Sequence, residues 1–364
     1  MRKRKILIVS TVGLIYDGIT SVILSNLQAM DRTGLDIYIA STIKEESNIV
    51  KQFLSLDCKI VHFPNRRTDP VQYFFALFNF IRKHHIEVIH ANGNSATLAV
   101  EMLAAKLGGC KKRIAHSHNT RCDQIRADKL LRPLFYATYT DGLACGRDAG
   151  IWLFQNRKFT VIKNGRDVAR FQFNKDKRES MRRLLGINDG VAFGHVGGFV
   201  DQKNHAFILD IFKSILALSP NAKLFLMGDG VNRKIIEEKA NKMGLKDNII
   251  FTGNVDNVED YLDAMDVMLL PSLFEGLPLS VIEWQASGLP CLISDRVTRD
   301  CALTSLVNFM SLNCSPDEWA GRLLELVPDQ DRMMASATAI REIKKAGYDI
   351  KDSAEALKNI YMNK

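Results

Sequence analysis

Short apolar stretches alternate with longer stretches of helical periodicity along the whole chain. In the first half, the apolar stretches are rich in Ile, Val and Leu and lie at 5–11, 36–41, 59–63, 87–92, 113–118, 142–146 and 159–165. Apolar runs of this length are typical of buried parallel strands, and the helical stretches between them serve as crossovers. The first half is therefore predicted to be an α/β domain with a parallel sheet.

A second series of apolar stretches follows at 191–198, 223–230, 248–254, 267–272, 290–295 and 307–313. Between the two series, at 164–186, the periodicity lapses and polar residues cluster. We predict domains at 1–166 and 167–345, with 346–364 as a C-terminal helix that packs back on the first domain. Two doubly wound, Rossmann-like domains are expected to face each other across a cleft bordered by the carboxyl ends of both sheets.

Composition places the chain among globular proteins, since 46% of its 364 residues are hydrophobic and 25% are charged. Seven cysteines occur singly, without a CxxC pair, which supports neither a zinc site nor a disulfide framework and fits a reducing cytoplasm. The basic, apolar N-terminus is too short and too broken for a secretion signal. No apolar stretch is long enough to span a bilayer, so we expect a soluble or peripheral protein.

The net charge of +8 predicts anionic partners, such as phosphorylated small molecules or an anionic membrane surface. No nucleic-acid-binding motif is found, so nucleic acid is not expected as a partner. A nicotinamide-dependent dehydrogenase is disfavoured as well, because no strand-to-helix turn carries GxGxxG.

Two glutamates stand eight residues apart in PSLFEGLPLSVIEWQASGLPCLISD (271–295). Gly276 and Pro278 prevent a regular helix between them. Glu275 is therefore predicted in the loop after a strand, and Glu283 in an early turn of a helix that begins near 278–280. Open α/β sheets bind ligands, anions among them, at this kind of strand-to-helix junction.

Three further loops of the second half carry ligand-binding chemistry. Lys203 lies in GGFVDQKNH (197–205), where glycines allow close backbone approach and a lysine suits phosphate oxygens. Gly228 lies in MGDG (227–230), a turn that is also common for structural reasons alone. Asn254 lies in FTGNVDN (251–257), which is either a loop that reads a base edge or an ordinary strand exit.

In this order, these segments resemble the carboxyl-terminal domain of GT-B glycosyltransferases of family 4, including the paired glutamates of that family. First-half segments resemble its amino-terminal landmarks, namely YDGITSVI (16–23), EVIHANGN (87–94), RIAHSHNT (113–120) and VIKNGRDVARF (161–171). The resemblance covers nearly the whole chain. It implies metal-independent transfer of a sugar, with retention of configuration, from a nucleotide-sugar, expected to be a UDP-sugar, to a lipid-linked or saccharide acceptor in surface-polysaccharide synthesis.

The resemblance also implies roles for single residues. Glu275 would hold hydroxyls of the donor sugar, and Glu283 would accept hydrogen bonds from the ribose hydroxyls. Lys203 would neutralise the diphosphate, which the amides of Gly276 and Leu277 would also face. Further donor-binding positions are Gly18, Gly198, Gly228 and Asn254.

His118 follows a first-half strand and is the candidate near the reactive end of the donor sugar, so that His118, Lys203 and Glu275 form the predicted catalytic set. His116 is the alternative, because residues two apart in a strand point the same way. Gly18 begins a helix whose free N–H groups could approach the diphosphate.

The sequence departs from the family pattern at two positions. Gly198 stands where the family usually has an arginine, and Arg296 and Arg299 are the candidates to replace that cation. Asp17 stands where the family has the first of two glycines. The missing arginine keeps a second hypothesis open, a catalytically weak subunit that binds or activates a partner transferase. A nucleotide-sugar epimerase on a similar fold is a third, against which the glutamate spacing argues.

The acceptor and any membrane surface are expected on the first domain. Segment 65–85 mixes aromatic and basic residues, although Phe74, Leu77, Phe78 and Ile81 recur at helical spacing and would equally pack on the sheet. Segment 121–139 follows His118, and its Arg121 and Arg126 are the candidates at the acceptor mouth. A DxD match at 329–331 is interpreted as a solvated turn and not as a metal site.

Overall fold

The computed structural model describes residues 3–327 and 331–363. They divide into two compact units. The first unit comprises the chain up to Gly165 together with the chain from Gly347 onward. The second unit is the continuous segment Arg166–Ala346.

The first unit is built on a parallel sheet whose described strands number seven, in the order β3-β2-β1-β4-β5-β6-β7. These strands are β1 (Arg4–Ser10), β2 (Leu35–Ser41), β3 (Lys59–His62), β4 (Val88–Gly93), β5 (Lys112–Ser117), β6 (Asp141–Ala144) and β7 (Thr160–Val161). Its helices are α1 (Gly18–Ala29), α2 (Ser47–Ser55), α3 (Pro70–His84), α4 (Ala99–Leu107), α5 (Ile125–Thr138), α6 (Arg147–Phe154) and the C-terminal helix (Ile350–Met362).

Side chains alternate between the two faces of this sheet, and helices cover both faces. Ile6 and Ile8 point to the face that packs against α1 and the C-terminal helix, whose Leu357 and Tyr361 are buried there. Leu7 and Val9 point to the opposite core, where α3, α4 and α5 contribute apolar residues. Burial on both faces explains why the strands are continuous apolar runs in the sequence.

The strand predicted at 159–165 is much shorter in the structure, with only Thr160–Val161 in the sheet. Beyond it the backbone turns to the C-terminal helix, where the Ser353 hydroxyl donates to the Lys163 carbonyl over 2.8 Å. The prediction of a longer strand was wrong because this segment pairs with a helix that comes nearly two hundred residues later.

The second unit contains another parallel sheet, with six strands in its described part, ordered β10-β9-β8-β11-β12-β13. They are β8 (Ala192–Val196), β9 (Lys223–Met227), β10 (Ile249–Gly253), β11 (Val267–Leu270), β12 (Cys291–Ser294) and β13 (Val307–Met310). The helices are α7 (Lys175–Leu184), α8 (His205–Leu218), α9 (Arg233–Lys242), α10 (Val258–Ala264), α11 (Leu279–Ala286), α12 (Pro316–Glu325) and α13 (Arg332–Lys345).

Both sheets alternate with helices as predicted, so the fold class of two Rossmann-like units is confirmed. In the second sheet the strand order reverses between β8 and β11. Ligands of doubly wound sheets bind at the carboxyl ends of the strands beside such a reversal. The loops that follow β8 and β11 are therefore the expected position of a ligand site.

Candidate functional site

Lys203 and Glu275 come together at the strand reversal of the second unit. Lys203 Nζ lies 2.6 Å from Glu275 Oε1, and the Ser272 hydroxyl donates to the same oxygen over 2.9 Å. Both charged side chains are largely shielded from water, with 17% of Lys203 and 9% of Glu275 exposed. A shielded lysine and carboxylate of this kind can bind a diphosphate and paired hydroxyls respectively.

Hydrogen bonds between the two loops hold this pair in place. The Leu273 N–H donates to the Gln202 carbonyl over 2.8 Å, and the Gln202 amide donates to the Phe274 carbonyl over 3.0 Å. Asn204 adopts a left-handed conformation with φ 56°, and its amide donates to the Pro271 carbonyl. The loop after β8 is thus fixed on the loop after β11, which keeps Lys203 beside Glu275.

Gly276 and Leu277 follow Glu275 directly and lead into α11, as the sequence predicts. No side chain caps the first turn of α11, whose N-cap is Pro278. The first amides of a helix without such a cap remain available as donors to an anion. Glu275 and Gly276 therefore stand just ahead of a helix terminus that favours negative charge.

Glu283 lies in the second turn of α11 and pairs with Arg166, whose Nε is 3.0 Å from Glu283 Oε1. Only 15% of the Glu283 side chain and 9% of the Arg166 side chain are exposed. Burial raises the pKa of Glu283, and the charges of Arg166 and Arg170 oppose that rise. Arg166 was not among the predicted site residues, although it lies in the quoted segment VIKNGRDVARF.

The predicted positions Gly198, Gly228 and Asn254 lie in adjoining loops. The Gly228 N–H donates to the Gly253 carbonyl over 2.9 Å, and the Gly197 N–H donates to the Met227 carbonyl over 2.9 Å. A Cβ at Gly228, whose φ is 141°, would lie 2.2 Å from the Gly197 oxygen, so only glycine fits there. Asn254 is exposed immediately after β10.

The two arginines proposed to replace a cation at Gly198 differ in their surroundings. Arg299 lies over the ring of Phe309, with 4.5 Å between the guanidinium carbon and the ring centroid. Arg296 is exposed, 3.8 Å from Asp295, and precedes Val297, which forms a bridge with Glu275. Of the two, Arg296 is therefore the one next to the backbone that pairs with Glu275.

In the first unit, His118 lies just beyond β5 and is half-buried. Its Nε2 is 2.9 Å from Asn92 Oδ1, and the Asn92 amide nitrogen donates to the carbonyls of Val9 and His90. Because Asn92 presents its oxygen, His118 Nε2 must carry the hydrogen. Burial lowers the pKa of His118 to about 4, so the ring is neutral near pH 7.

His116, the alternative to His118, is fully enclosed in β5. Its Nδ1 is 3.1 Å from His90 Nε2, and His90 Nδ1 is 2.6 Å from the Tyr361 hydroxyl on the C-terminal helix. Burial lowers the pKa of His116 well below its ordinary value. This row of rings connects β4, β5 and the C-terminal helix and gives His116 a place in the core, which makes His118 the better candidate for ligand contact.

The start of α1 is arranged differently from the expectation. Asp17 is the N-cap and accepts the Thr20 N–H over 2.8 Å, while Gly18 is exposed. Burial raises the pKa of Asp17. A first-turn donor of α1 is thus already bound to a carboxylate, which makes this terminus a poorer place for a diphosphate than the start of α11.

The segment at 65–85 forms α3, and its apolar face packs on the sheet. Tyr73, Leu77 and Ile81 are fully buried, whereas Phe74 and Phe78 are partly buried against the same core. The other basic segment, 121–139, exposes more of its basic and apolar side chains than 65–85 does. Arg121 lies at the surface just before α5, and Arg126 lies at the surface within it. Leu130 of α5 is 80% exposed and Ile125 is 57% exposed.

Of the DxD match, Asp329 and Gln330 lie outside the described residues. Asp331 caps α13, accepting the Met333 N–H over 2.9 Å. Within residues 3–327 and 331–363, no helix has both the length and the apolar character required to cross a bilayer.

Comparison with known proteins agrees with this architecture. Residues 190–329 match the family model "Glycosyl transferases group 1". The chain is 29% identical to the putative glycosyltransferase EpsF of Bacillus subtilis, over 96% of this chain and 94% of that protein. It is 25% identical to the Escherichia coli UDP-Gal:alpha-D-GlcNAc-diphosphoundecaprenol alpha-1,3-galactosyltransferase, over 79% and 78% of the two chains.

Among solved structures, the chain resembles Anabaena Alr3699/HepE in complex with UDP-glucose, with a TM-score of 0.80 and 15% identity over 98% of this chain and 99% of that one. It also resembles WaaG, a glycosyltransferase involved in lipopolysaccharide biosynthesis, with a TM-score of 0.75 and 15% identity over 99% and 100% of the two chains. At this identity the likeness establishes the fold, and it confirms the GT-B prediction. The chain therefore has the GT-B fold, and its residues 190–329 are similar to the glycosyl transferases group 1 family.

Proposed function

We propose that this protein is a glycosyltransferase that moves a sugar from a UDP-sugar to a lipid-linked or saccharide acceptor in the synthesis of a surface polysaccharide, with retention of configuration and without a required metal. The contact between Lys203 and Glu275 carries the proposal. It provides a cation and a carboxylate side by side at the strand reversal, where a nucleotide-sugar presents a diphosphate next to a ring of hydroxyls.

On binding, the diphosphate and the sugar of the donor would each take one partner of this ion pair. Diphosphate oxygens would take over Lys203, and sugar hydroxyls would donate to Glu275, so each charge would exchange one partner for another. The amides of Gly276 and Leu277 and the start of α11 would supply further donors to the leaving diphosphate. Charge that develops on the leaving group could thus be stabilised by groups of this chain.

His118 is proposed as the catalytic residue that the first unit contributes. Its neutral ring, oriented by Asn92, is suited to hydrogen-bond a hydroxyl near pH 7. The acceptor is proposed to bind on the same unit near Arg121 and Arg126. The kinds of acceptor come from relatives, namely the galactosyltransferase named above and the capsular polysaccharide biosynthesis glycosyltransferase CapH of Staphylococcus aureus.

A panel of nucleotides and nucleotide-sugars, titrated in the presence of a chelator, tests the donor and the metal requirement together. We expect one UDP-sugar to raise the thermal midpoint and to be hydrolysed slowly, since a ligand bound to the folded state stabilises it. Stabilisation that appears only after Mg²⁺ or Mn²⁺ is added would contradict metal independence. Stabilisation by another nucleotide class would contradict the UDP assignment.

A catalytically weak subunit is the second candidate, and Gly198 is the observation that favours it. A Cβ there would have only the Asp229 carbonyl nearby, at 3.4 Å, so the structure has room for a larger side chain that the sequence does not supply. In that case the purified chain would bind no nucleotide tightly, and hydrolysis of the donor would require a second protein.

A further inference from the structure

A short linker segment at the start of the second unit, residues 166–171, lies against the proposed nucleotide site. Val168 and Phe171 are buried and anchor it. Arg166 pairs with Glu283, and Arg170 pairs with Glu259 over 2.8 Å. Two arginines of one segment therefore contact two different elements, α11 and α10.

The second of these contacts reaches the loop that carries Asn254. Arg170 also donates to the Asp256 carbonyl over 2.7 Å, and Asp256 lies between Asn254 and the start of α10. The segment thus joins the carboxylate proposed for the ribose to the loop proposed for the base. Both Arg166 and Arg170 act electrostatically on Glu283 and favour its ionised form.

The geometry at Glu283 leaves one side of the carboxylate open. Arg166 meets Oε1 at 3.0 Å, and no hydrogen bond to Oε2 is found from any residue that the structure describes. A carboxylate of which 15% is exposed accepts paired hydroxyls well only when it is ionised and held in one orientation. Removing the cation from such a pair would leave a shielded carboxylate that favours its protonated form.

We infer that Arg166 is a positioning residue of the nucleotide site, which binds Glu283 Oε1, keeps the carboxylate ionised and turns Oε2 toward the ribose hydroxyls of the donor. This inference rests on the proposed function, because it assumes that a nucleotide binds at Glu283. It assigns to the linker segment a part, through Glu283, in distinguishing ribonucleotides from deoxyribonucleotides.

Calorimetric titration of the full chain with UDP and 2′-deoxy-UDP, from pH 5.5 to 8.5, tests this inference. The wild type should prefer UDP. Arg166→Met should weaken UDP binding by about 10- to 100-fold at pH 7, since a Glu283 carboxylate without its ion-pair partner is a weaker acceptor for the ribose hydroxyls, and should bind the two nucleotides alike. As the pH is lowered, the UDP affinity of Arg166→Met should also begin to fall at a higher pH than the UDP affinity of the wild type. The phosphate groups of UDP change protonation in the same way with either protein. The difference between the pH profiles of the wild type and Arg166→Met therefore reports the protonation of Glu283.

Arg166→Lys should restore part of the affinity and the wild-type pH profile, because it retains the charge, and it serves also if Arg166→Met does not fold. Arg322→Met, which removes an exposed partner of Glu325 in the same unit, is the matched control and should bind like the wild type. Wild-type affinity and discrimination in Arg166→Met, or an equal loss for both nucleotides with an unchanged pH profile, would overturn the inference. A wild type that binds no nucleotide would overturn the proposed function itself and the inference with it.

Discussion

At the scale of single residues, Glu275 is the side chain on which the proposed chemistry depends most. Glu275→Gln keeps the shape of the side chain but removes the charge that faces Lys203 and weakens the acceptor offered to sugar hydroxyls. We expect kcat for donor hydrolysis and for transfer to fall by about 100-fold or more, as when other preorganised stabilising groups are removed. The variant should still fold, with a lower thermal midpoint of unfolding because the shielded Lys203 loses its partner charge.

Glu237→Gln is the matched control for this substitution, because Glu237 also pairs with a cation, Arg233, but on the exposed side of α9. It should retain wild-type rates. Comparable activities in the two variants would remove Glu275 from its proposed role.

The sequence alone suggests some members of the candidate site and not others, for a physical reason. Lys203, Glu275 and Glu283 are candidates from the sequence because their loops have recognisable composition next to strand ends. Ser272 and Arg166 were missed because each acts through a contact, and a contact between Arg166 and Glu283 spans more than a hundred residues of chain. Composition at one position does not reveal such a partner.

At the scale of elements, α5 offers a better candidate surface for membrane binding than α3, although the aromatic and basic sequence of α3 suggested that role first. The aromatic residues of α3 are occupied by core packing, whereas Arg126, Lys129 and Leu130 of α5 are exposed. These three residues lie on one side of the helix, within less than half of its circumference, so all three can contact one anionic surface. A membrane surface, if the protein uses one, is therefore predicted on α5.

Flotation with vesicles that contain anionic lipid measures membrane binding through α5. The double variant Arg126→Glu/Lys129→Glu should lose most of the bound fraction, since each basic residue near an anionic surface contributes about 1 kcal/mol. Lys242→Glu/Lys246→Glu changes the net charge equally on exposed positions of the second unit and should float as the wild type does. Equal losses in both variants would mean that net charge, and not α5, governs binding.

At the scale of the whole molecule, both units contain buried histidines whose pKa values lie below the ordinary 6.5. Burial lowers the pKa of His90 to about 3 and that of His205 to about 4, and it lowers the pKa values of His116 and His195 well below the ordinary value. A group with a lowered folded pKa binds a proton more readily when the chain unfolds. Its contribution to the free energy of unfolding is therefore complete above pH 6.5 and is lost as the pH falls toward the folded pKa.

We accordingly expect the thermal midpoint to fall as the pH is lowered from 7.5 to 5, with each such histidine contributing up to about 1.4 kcal/mol per pH unit below 6.5. Asp263, whose pKa burial raises to about 6, acts in the opposite direction. His205→Leu should make the pH dependence shallower, because it removes one of these buried rings. A midpoint that is constant over this range would contradict the buried, neutral state of these rings.

The C-terminal helix has a consequence for how the protein is made. The second unit is a continuous segment, so all of its strands are available before residues 350–362 have been synthesised. The first unit starts earlier but receives Leu357 and Tyr361, which help to cover one face of its sheet, only after the second unit. Until then that face, with Ile6 and Ile8, lacks part of its cover. During synthesis the unit that begins first is therefore completed last, and part of its apolar core stays exposed while the second unit is made.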